Sequence, residues 1–339
     1  MAATKVGING FGRIGRQVFK AISDRYAGKL EVVAINDLVA VGTNANLLKY
    51  DSSYGRWNRD VRAEADGISV DGRLVKVFAE RDPGAIPWGS VGVELVIEST
   101  GFFTDATKAV AHKRDSVKKV VISAPAKNED VTIVLGVNPE KYDPAKHHVI
   151  SNASCTTNGL APMVKVLVDN LGIVKAQMTT IHAYTNSQKI LDQAGGDDPR
   201  EMRAGALNIV PMSTGAARAL KLVIPEIEGK LDGAAYRVPT PTVSIVEIVA
   251  ITEKETTKDE VNNLMKEAAG EKLKGILGFT TDPVVSMDMK GDERSSIVDA
   301  GVTNVVGGNL VKVAAWYDNE WGYACRLSDL CAFVVDKGL

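Results

Sequence analysis

One cysteine and one histidine are placed where their side chains could make and break a covalent bond. Cys155 lies in the polar run Ser151-Asn152-Ala153-Ser154-Cys155-Thr156-Thr157-Asn158. Leu160, Met163, Val164, Leu167, Val168 and Leu171 follow it at three- and four-residue spacing, the period of a helix packed on one face. His147-His148-Val149-Ile150-Ser151 before it reads as a short buried strand. Cys155 is therefore expected at a helix N-terminus, where free N–H groups and the positive dipole end favour a thiolate. A lone cysteine in a turn is more often a small buried residue, so it needs a partner to count as a nucleophile. Of the four histidines, His147 and His148 read as surface or structural, and His112 as a dipole contact at a helix end. His182 differs, because it closes the apolar strand pattern Met178 to Ala183. Cys155 and His182 together predict a thiolate and imidazole pair, in which His182 lowers the thiol pKa and then serves as acid or base.

A second chemistry is anion binding. Ser154, Thr156, Thr185, Thr214, Gly215, Arg200, Arg203 and Arg237 lie near these segments, and hydroxyls with arginines bind phosphate oxygens. Arg237 precedes Val238-Pro239-Thr240-Pro241, which stiffens the chain behind it.

A third signal is a nucleotide fingerprint at the start of the chain. The strand Lys5-Val6-Gly7-Ile8-Asn9 runs into Gly10-Phe11-Gly12-Arg13-Ile14-Gly15 and a helix carrying Val18, Phe19 and Ile22. A second strand, Leu30 to Ile35, ends at Asn36-Asp37. Strand, GxGxxG, helix and a closing acid together make a dinucleotide site. The glycines admit a pyrophosphate to the helix N-terminus, and Asp37 accepts hydrogen bonds from ribose hydroxyls.

The elements that must hold these groups read as two domains. Short apolar strands continue at Val93 to Glu98, Lys119 to Ser123 and Val131 to Val137, with a hairpin turning at Asp71-Gly72 and a helix from Asp105 to His112. This alternation predicts a mostly parallel sheet covered on both faces, with Asp37, Thr100 and Ser123 at the carboxyl ends of its strands. After Cys155 the strands lengthen: Val174 to Tyr184, Thr242 to Ile251, Ser295 to Ala300 and Leu310 to Tyr317. They predict a mixed or antiparallel sheet with one covered face. Thr257-x-x-Glu260 marks a capping box for a helix ending near Gly270, and Gly322 to Lys337 reads as a last helix. The stretch Asn186 to Asn208, which includes Ala194-Gly195-Gly196-Asp197-Asp198-Pro199, has no sustained period and reads as a functional or assembly loop.

Composition excludes some functions. A net charge of −2 gives no support for nucleic acid or an anionic membrane as partner. No stretch has the apolar length of a membrane span, and the N-terminus shows neither signal peptide nor anchor. Three cysteines, neither a disulfide framework nor a CxxC pattern, point to a reducing, cytoplasmic compartment without a metal site.

Several of these segments, in this order, resemble the phosphorylating glyceraldehyde-3-phosphate dehydrogenases along essentially the whole chain. They are Val6 to Gly15, Leu48-Lys-Tyr-Asp51, Ala79-Glu-Arg-Asp-Pro83, Ile122 to Lys127, Ser151 to Asn158, His182-Ala-Tyr-Thr-Asn186, Ser213 to Ala217, Arg237-Val-Pro-Thr-Pro241 and Trp316 to Tyr323. The resemblance implies an α/β protein with a Rossmann-type dinucleotide-binding domain and an α+β catalytic domain. The first is expected to span 1–154, completed by 320–339, and the second 155–319. It implies NAD as cofactor, with contacts from Gly10, Gly12, Arg13, Ile14, Gly15, Asp37, Arg81, Thr100, Ser123 and Asn319. Cys155 is then the nucleophile and His182 its activator. Thr185 and Arg237 match the site for the substrate's own phosphate, and Ser154, Thr156, Thr214 and Gly215 the region receiving inorganic phosphate. The implied reaction oxidises glyceraldehyde 3-phosphate through a hemithioacetal and a thioester that inorganic phosphate opens, and the implied assembly is a homotetramer. The alternatives are a dehydrogenase of erythrose 4-phosphate and a catalytically idle binding protein of the same fold.

Three positions depart from the family pattern. Gly159 stands where a second cysteine is common. Arg200-Glu201-Met202-Arg203 puts an acid in place of an arginine. Gln193-Ala194 matches neither the Leu-Pro of NAD-dependent members nor the Ala-Ser of NADP-using ones. Asp37 favours NAD because a carboxylate repels a 2′-phosphate, while Gln193-Ala194 leaves NADP use open.

Overall fold

A computed structural model describes residues 2–196 and 198–339, so Asp197 of the irregular loop lies outside the described residues. The chain forms two compact units. One holds residues 1–133, 140–153 and 324–339, and the other 134–139 and 154–323. The last helix, Trp321–Lys337, thus begins in the second unit and contributes its residues from Ala324 onward to the first.

The first unit is built on a nine-stranded sheet. Its strand Thr4–Asn9 pairs in parallel with Leu30–Asn36 on one side and Leu95–Glu98 on the other. Chain order reverses there, which is where such sheets bind ligands beyond the carboxyl ends of their strands. Lys119–Ile122 and Val149–Ser151 extend the parallel sheet on one side. Arg73–Phe78, Gly67–Val70 and Val61–Glu64 extend it on the other, the last two antiparallel. The expected hairpin turn is present, with Asp71 at φ 50° and Gly72 at φ 80°, the left-handed pair that matches the twist of hairpin strands. The strand expected over Val131–Val137 is only Val131–Thr132, because residues from Val134 leave this unit for the other.

His112 corrects a second expectation. It ends a short helical turn, as expected, but its side chain is fully buried and held by other partners than the helix end. Trp88 Nε1 donates to its Nδ1 at 3.1 Å, so its proton sits on Nε2 and is given to Glu98 at 3.0 Å. Glu98 also accepts from Asn9 Nδ2 at 2.6 Å and from the Thr100 N–H at 2.8 Å. A buried carboxylate with this many donors is satisfied, and it ties the ends of two neighbouring strands together.

The second unit is an eight-stranded, mostly antiparallel sheet. Ile173–Ala183 lies between Leu231–Val238, which is parallel to it, and Ser244–Thr252, which is antiparallel. Leu310–Tyr317 follows on the far side of Ser244–Thr252. Burial alternates residue by residue along Ser244–Thr252, the signature of one face packed and one free. The helices Cys155–Leu171, Ala216–Val223 and Lys258–Gly270 belong to this unit. Lys258–Gly270 starts at the expected capping box, with Thr257 and Glu260 bonding each other's backbone. Among the described residues no helix is long and apolar enough to cross a membrane.

Candidate active site

The Cys155–Leu171 helix places the cysteine as its first residue. Ser154 is the cap, its hydroxyl accepting from the Thr157 N–H at 3.0 Å, which satisfies one of the unpaired donors at the helix start. His182 reaches Cys155 from the neighbouring strand, with Nε2 3.5 Å from Sγ. In that strand Met178, Thr180 and His182 point inward at alternate positions, so the period of two delivers the ring to the packed face. Arg237 is the register partner of His182 on the adjoining parallel strand, and its guanidinium comes to the same ring.

Burial acts on both members of the pair. Burial, then the charge of Arg237, pull the His182 pKa down to about 3, so the ring is neutral at physiological pH. Burial pushes the Cys155 thiol up, opposed by Arg237 and by hydrogen bonds from Thr156. The sequence alone shows the helix N-terminus and the histidine but not the desolvation, which outweighs both.

Two further groups surround the pair. Tyr317 packs edge-on to His182 with ring centres 5.8 Å apart. Its hydroxyl lies 3.0 Å from Thr156 Oγ1 and 2.9 Å from Thr180 Oγ1. Thr156 is buried, and its hydroxyl also bears on the sulfur of Cys155. Ser244 accepts from the Ala183 N–H at 3.0 Å and donates to Asn319 Oδ1 at 3.0 Å, which fixes the Asn319 amide with its oxygen inward. Neither Tyr317 nor Ser244 stands out in the sequence. Only the pairing of Ser244–Thr252 with Leu310–Tyr317, Ser244 opposite Tyr317, brings them to the site.

The remaining anion residues are partly exposed. Thr214 accepts from the Ala216 N–H at 3.1 Å, and Gly215 caps the Ala216–Val223 helix without a side chain of its own. Thr185 takes a turn closed by Gln188, whose Oε1 accepts from the Thr185 N–H at 2.8 Å. Arg203 pairs with Asp192 at 2.7 Å within the irregular loop, so one of its arginines is spent holding that loop together. A short helical turn at Pro199–Met202 carries Arg200 and Glu201.

In the first unit the nucleotide loop has the shape a pyrophosphate requires. Gly10 sits at φ 89°, and a Cβ there would lie 2.7 Å from the Thr100 nitrogen. A Cβ on Gly15 would meet the Gly10 carbonyl oxygen at 2.1 Å, so only glycine lets helix and loop pack this closely. Gly12 caps the Arg13–Arg25 helix with no side-chain bond and with open space where a Cβ would be, leaving its N-terminal N–H groups for an anion. Asp37 ends the second strand and accepts from the N–H groups of Phe11 at 2.7 Å and Val39 at 2.9 Å. Thr100 and Ser123 follow the ends of the strands Leu95–Glu98 and Lys119–Ile122. Arg13 pairs with Asp51 at 2.9 Å, Ile14 is half-buried beside it, and Arg81 is exposed. These residues fit a dinucleotide. Among the described residues no cluster of histidine, cysteine or carboxylate side chains is arranged to hold a metal ion.

Comparison with known proteins agrees with both halves of this description. Residues 4–106 match the family described as "Glyceraldehyde 3-phosphate dehydrogenase, NAD binding domain", and residues 154–319 match its "C-terminal domain". The chain is 56% identical over 333 residues to "Glyceraldehyde-3-phosphate dehydrogenase 2" of Streptomyces avermitilis, covering 98% of this chain and 99% of that protein. It is 55% identical to the glyceraldehyde-3-phosphate dehydrogenase of Geobacillus stearothermophilus and 54% identical to "Glyceraldehyde-3-phosphate dehydrogenase 1" of Bacillus subtilis, each over 99% of this chain and all of the relative.

Proposed function

The chain belongs to the glyceraldehyde-3-phosphate dehydrogenase family and acts with NAD on glyceraldehyde 3-phosphate and inorganic phosphate; within that activity we propose that Cys155 is the nucleophile and His182 the acid and base that serves it. The observation that carries this reading is the 3.5 Å contact between Cys155 Sγ and His182 Nε2 at the first turn of a 17-residue helix. Cys155 Sγ adds to the aldehyde carbon, and the carbonyl oxygen takes a proton to give a hemithioacetal. NAD, when bound, supplies the acceptor for the hydride that leaves this carbon. His182 takes the hydroxyl proton at Nε2 as the carbon becomes a thioester. Phosphate oxygen then forms the new acyl bond while the carbon–sulfur bond breaks, returning the thiolate of Cys155 and an acyl phosphate. The Cys155 N–H, at the helix start where no intrahelical carbonyl accepts it, serves as a donor to the developing oxyanion.

Gly10, Gly12, Arg13, Ile14, Gly15, Asp37, Arg81, Thr100, Ser123 and Asn319 are the residues we assign to the cofactor. The close-packed glycine loop and the open helix N-terminus behind Gly12 support that assignment. Arg237 and Thr185 are assigned to the substrate's phosphate. A buried Arg237 Nε with no hydrogen-bond partner supports it, because such a donor calls for an acceptor. Ser154, Thr156, Thr214 and Gly215 are assigned to inorganic phosphate. The proposed assembly is a homotetramer. Ile190, Leu191, Leu207 and Ile209 are each more than two-thirds exposed in and beside the irregular loop, apolar surface that a second copy would cover. Among the described residues Cys155, Cys325 and Cys331 form no disulfide, which supports a reducing, cytoplasmic setting.

The test is aldehyde preference. With NAD and phosphate, glyceraldehyde 3-phosphate should give NADH with a kcat/KM at least about tenfold above that of erythrose 4-phosphate, and omitting phosphate should stop steady turnover. A preference for erythrose 4-phosphate, or no NADH from either, contradicts the reading.

A further inference from the structure

Five buried side chains of the first unit are joined in one hydrogen-bonded chain, and the reaction above uses none of them. Trp88 donates to His112, and His112 donates to Glu98 Oε2. Asn9 Nδ2 donates to the same Glu98 oxygen at 2.6 Å, while Asn9 Oδ1 accepts from Asn36 Nδ2 at 2.8 Å. The direction of each link is fixed, because an indole only donates and a carboxylate only accepts. Asn9, Asn36 and Glu98 are the last residues of three adjacent parallel strands. Their free bonds go to the loops that leave those strands. Glu98 Oε1 accepts from the Thr100 N–H at 2.8 Å and from the Thr100 hydroxyl, and the Glu98 carbonyl accepts from the Ser123 N–H at 2.9 Å. The Asn36 side chain accepts from the Glu80 N–H at 2.8 Å and donates to the Glu80 carbonyl at 2.9 Å, and its own carbonyl accepts from the Gly10 N–H at 2.9 Å. Gly10, Thr100 and Ser123 are thus bonded to members of the chain. Asp37 and Arg81 each follow a residue that is.

We propose that Trp88, His112, Glu98, Asn9 and Asn36 form a positioning network that holds the cofactor loops in their binding arrangement before NAD arrives, with Glu98 as its central residue. This rests on the assignment of those loops to NAD given above. A loop that is already held loses little further freedom on binding, so the network contributes to affinity by removing an ordering cost. Glu98 is central because it takes the most donors: one each from Asn9 and His112 on one oxygen and two from Thr100 on the other. A glutamine has the same shape but only one such oxygen. Whichever way its amide turns, the NH₂ meets either Asn9 and His112 or the Thr100 N–H, so links break at constant core volume. None of the five residues lies in the unit that carries Cys155 and His182. The effect therefore falls on NAD binding and spares the chemical step.

Direct binding of NAD to the full-length protein, together with hydrogen exchange of the NAD-free protein, tests this. In Glu98→Gln the Kd for NAD should rise about tenfold, the cost of leaving a buried donor unpaired. The kcat at saturating NAD should stay within about twofold. Without NAD, the backbone amides of 80–81 and 99–101 should exchange faster than in the unsubstituted protein. Asn9→Asp alone sets two carboxylates against each other and should weaken NAD by a similar factor. Combined with Glu98→Gln it puts a donor opposite an oxygen again across the 2.6 Å link, and gives His112 Nε2 that oxygen at 3.4 Å. His112 is served less well than before, so the Kd should recover to within about threefold of the unsubstituted value rather than fully. General destabilisation predicts the opposite, since two independent lesions add. Asn9→Ser, which opens the chain without opposing like groups, should weaken NAD about threefold and carries the test if Glu98→Gln does not fold. A Kd for NAD unchanged in these single variants, a double variant in which the losses add, or a loss in kcat with Kd unchanged overturns the proposal. Failure of the underlying cofactor assignment looks different: Gly12→Ala, whose added methyl meets no protein atom within 4 Å, would then leave the Kd for NAD unchanged.

Discussion

Replacing Cys155 with serine is expected to lower kcat for glyceraldehyde 3-phosphate by about 10⁴-fold, with the protein folded and still binding NAD. The size of the loss follows from the site. A serine hydroxyl ionises far less readily than a thiol, so far less of the attacking anion is present at neutral pH. The thiol can react because the charge of Arg237 and hydrogen bonds from Thr156 favour its anion against the cost of burial, with His182 Nε2 in contact at 3.5 Å. The oxygen nucleophile would need far more help than these groups give, and an oxygen ester is also a poorer acyl donor to phosphate. Steady-state NADH formation checks the result, and activity within tenfold of the unsubstituted enzyme would remove Cys155 from the reaction.

His182→Asn is expected to produce two separable losses. The first is in kcat, by about 10²–10⁴-fold, because no other described side chain is placed to take the hydroxyl proton at the carbon bonded to Cys155. The second is in the reactivity of Cys155 itself. The groups facing the sulfur are His182 from Ile173–Ala183, Arg237 from Leu231–Val238 and Tyr317 from Leu310–Tyr317. Only the thiolate is alkylated, so labelling by iodoacetamide speeds up as pH rises through the thiol pKa. Burial already places that pKa above its ordinary value. Removing the His182 N–H takes away a donor to the anion and pushes it higher, so labelling at neutral pH slows and its midpoint moves to higher pH. Unchanged labelling together with a lowered kcat would make His182 a proton acceptor alone.

The parts of this site that rest on local pattern are legible in the sequence. Strand, glycine loop, helix and Asp37 occupy thirty-odd consecutive residues, and the polar run before an apolar helical period places Cys155 at a helix start. His182 is legible because a histidine in an inward position of an apolar strand needs a reason to be there. What the sequence hides depends on pairing between distant segments. The partnership of His182 with Arg237 follows from a parallel register across 55 residues, and Ser244 meets Asn319 only because two antiparallel strands align. The burial of His112 is hidden for the same reason: Glu98 and Trp88 reach it from separate elements. Desolvation is the other hidden quantity. A helix N-terminus and a nearby imidazole both predict an acidic thiol, and only the packed structure shows burial acting in the opposite direction on each partner. Thr156 illustrates both effects, since Tyr317, 161 residues away, turns its hydroxyl inward.

The oxidised substrate should be held covalently on Cys155 until phosphate releases it. Mixing the enzyme with NAD and glyceraldehyde 3-phosphate in phosphate-free buffer isolates that step. A rapid burst of NADH equal to the number of Cys155 thiols is expected, with a phosphoglyceroyl adduct confined to the peptide that contains Cys155, and discharge of that adduct on adding phosphate. A burst with no adduct on Cys155, or an adduct that phosphate does not discharge, would contradict it.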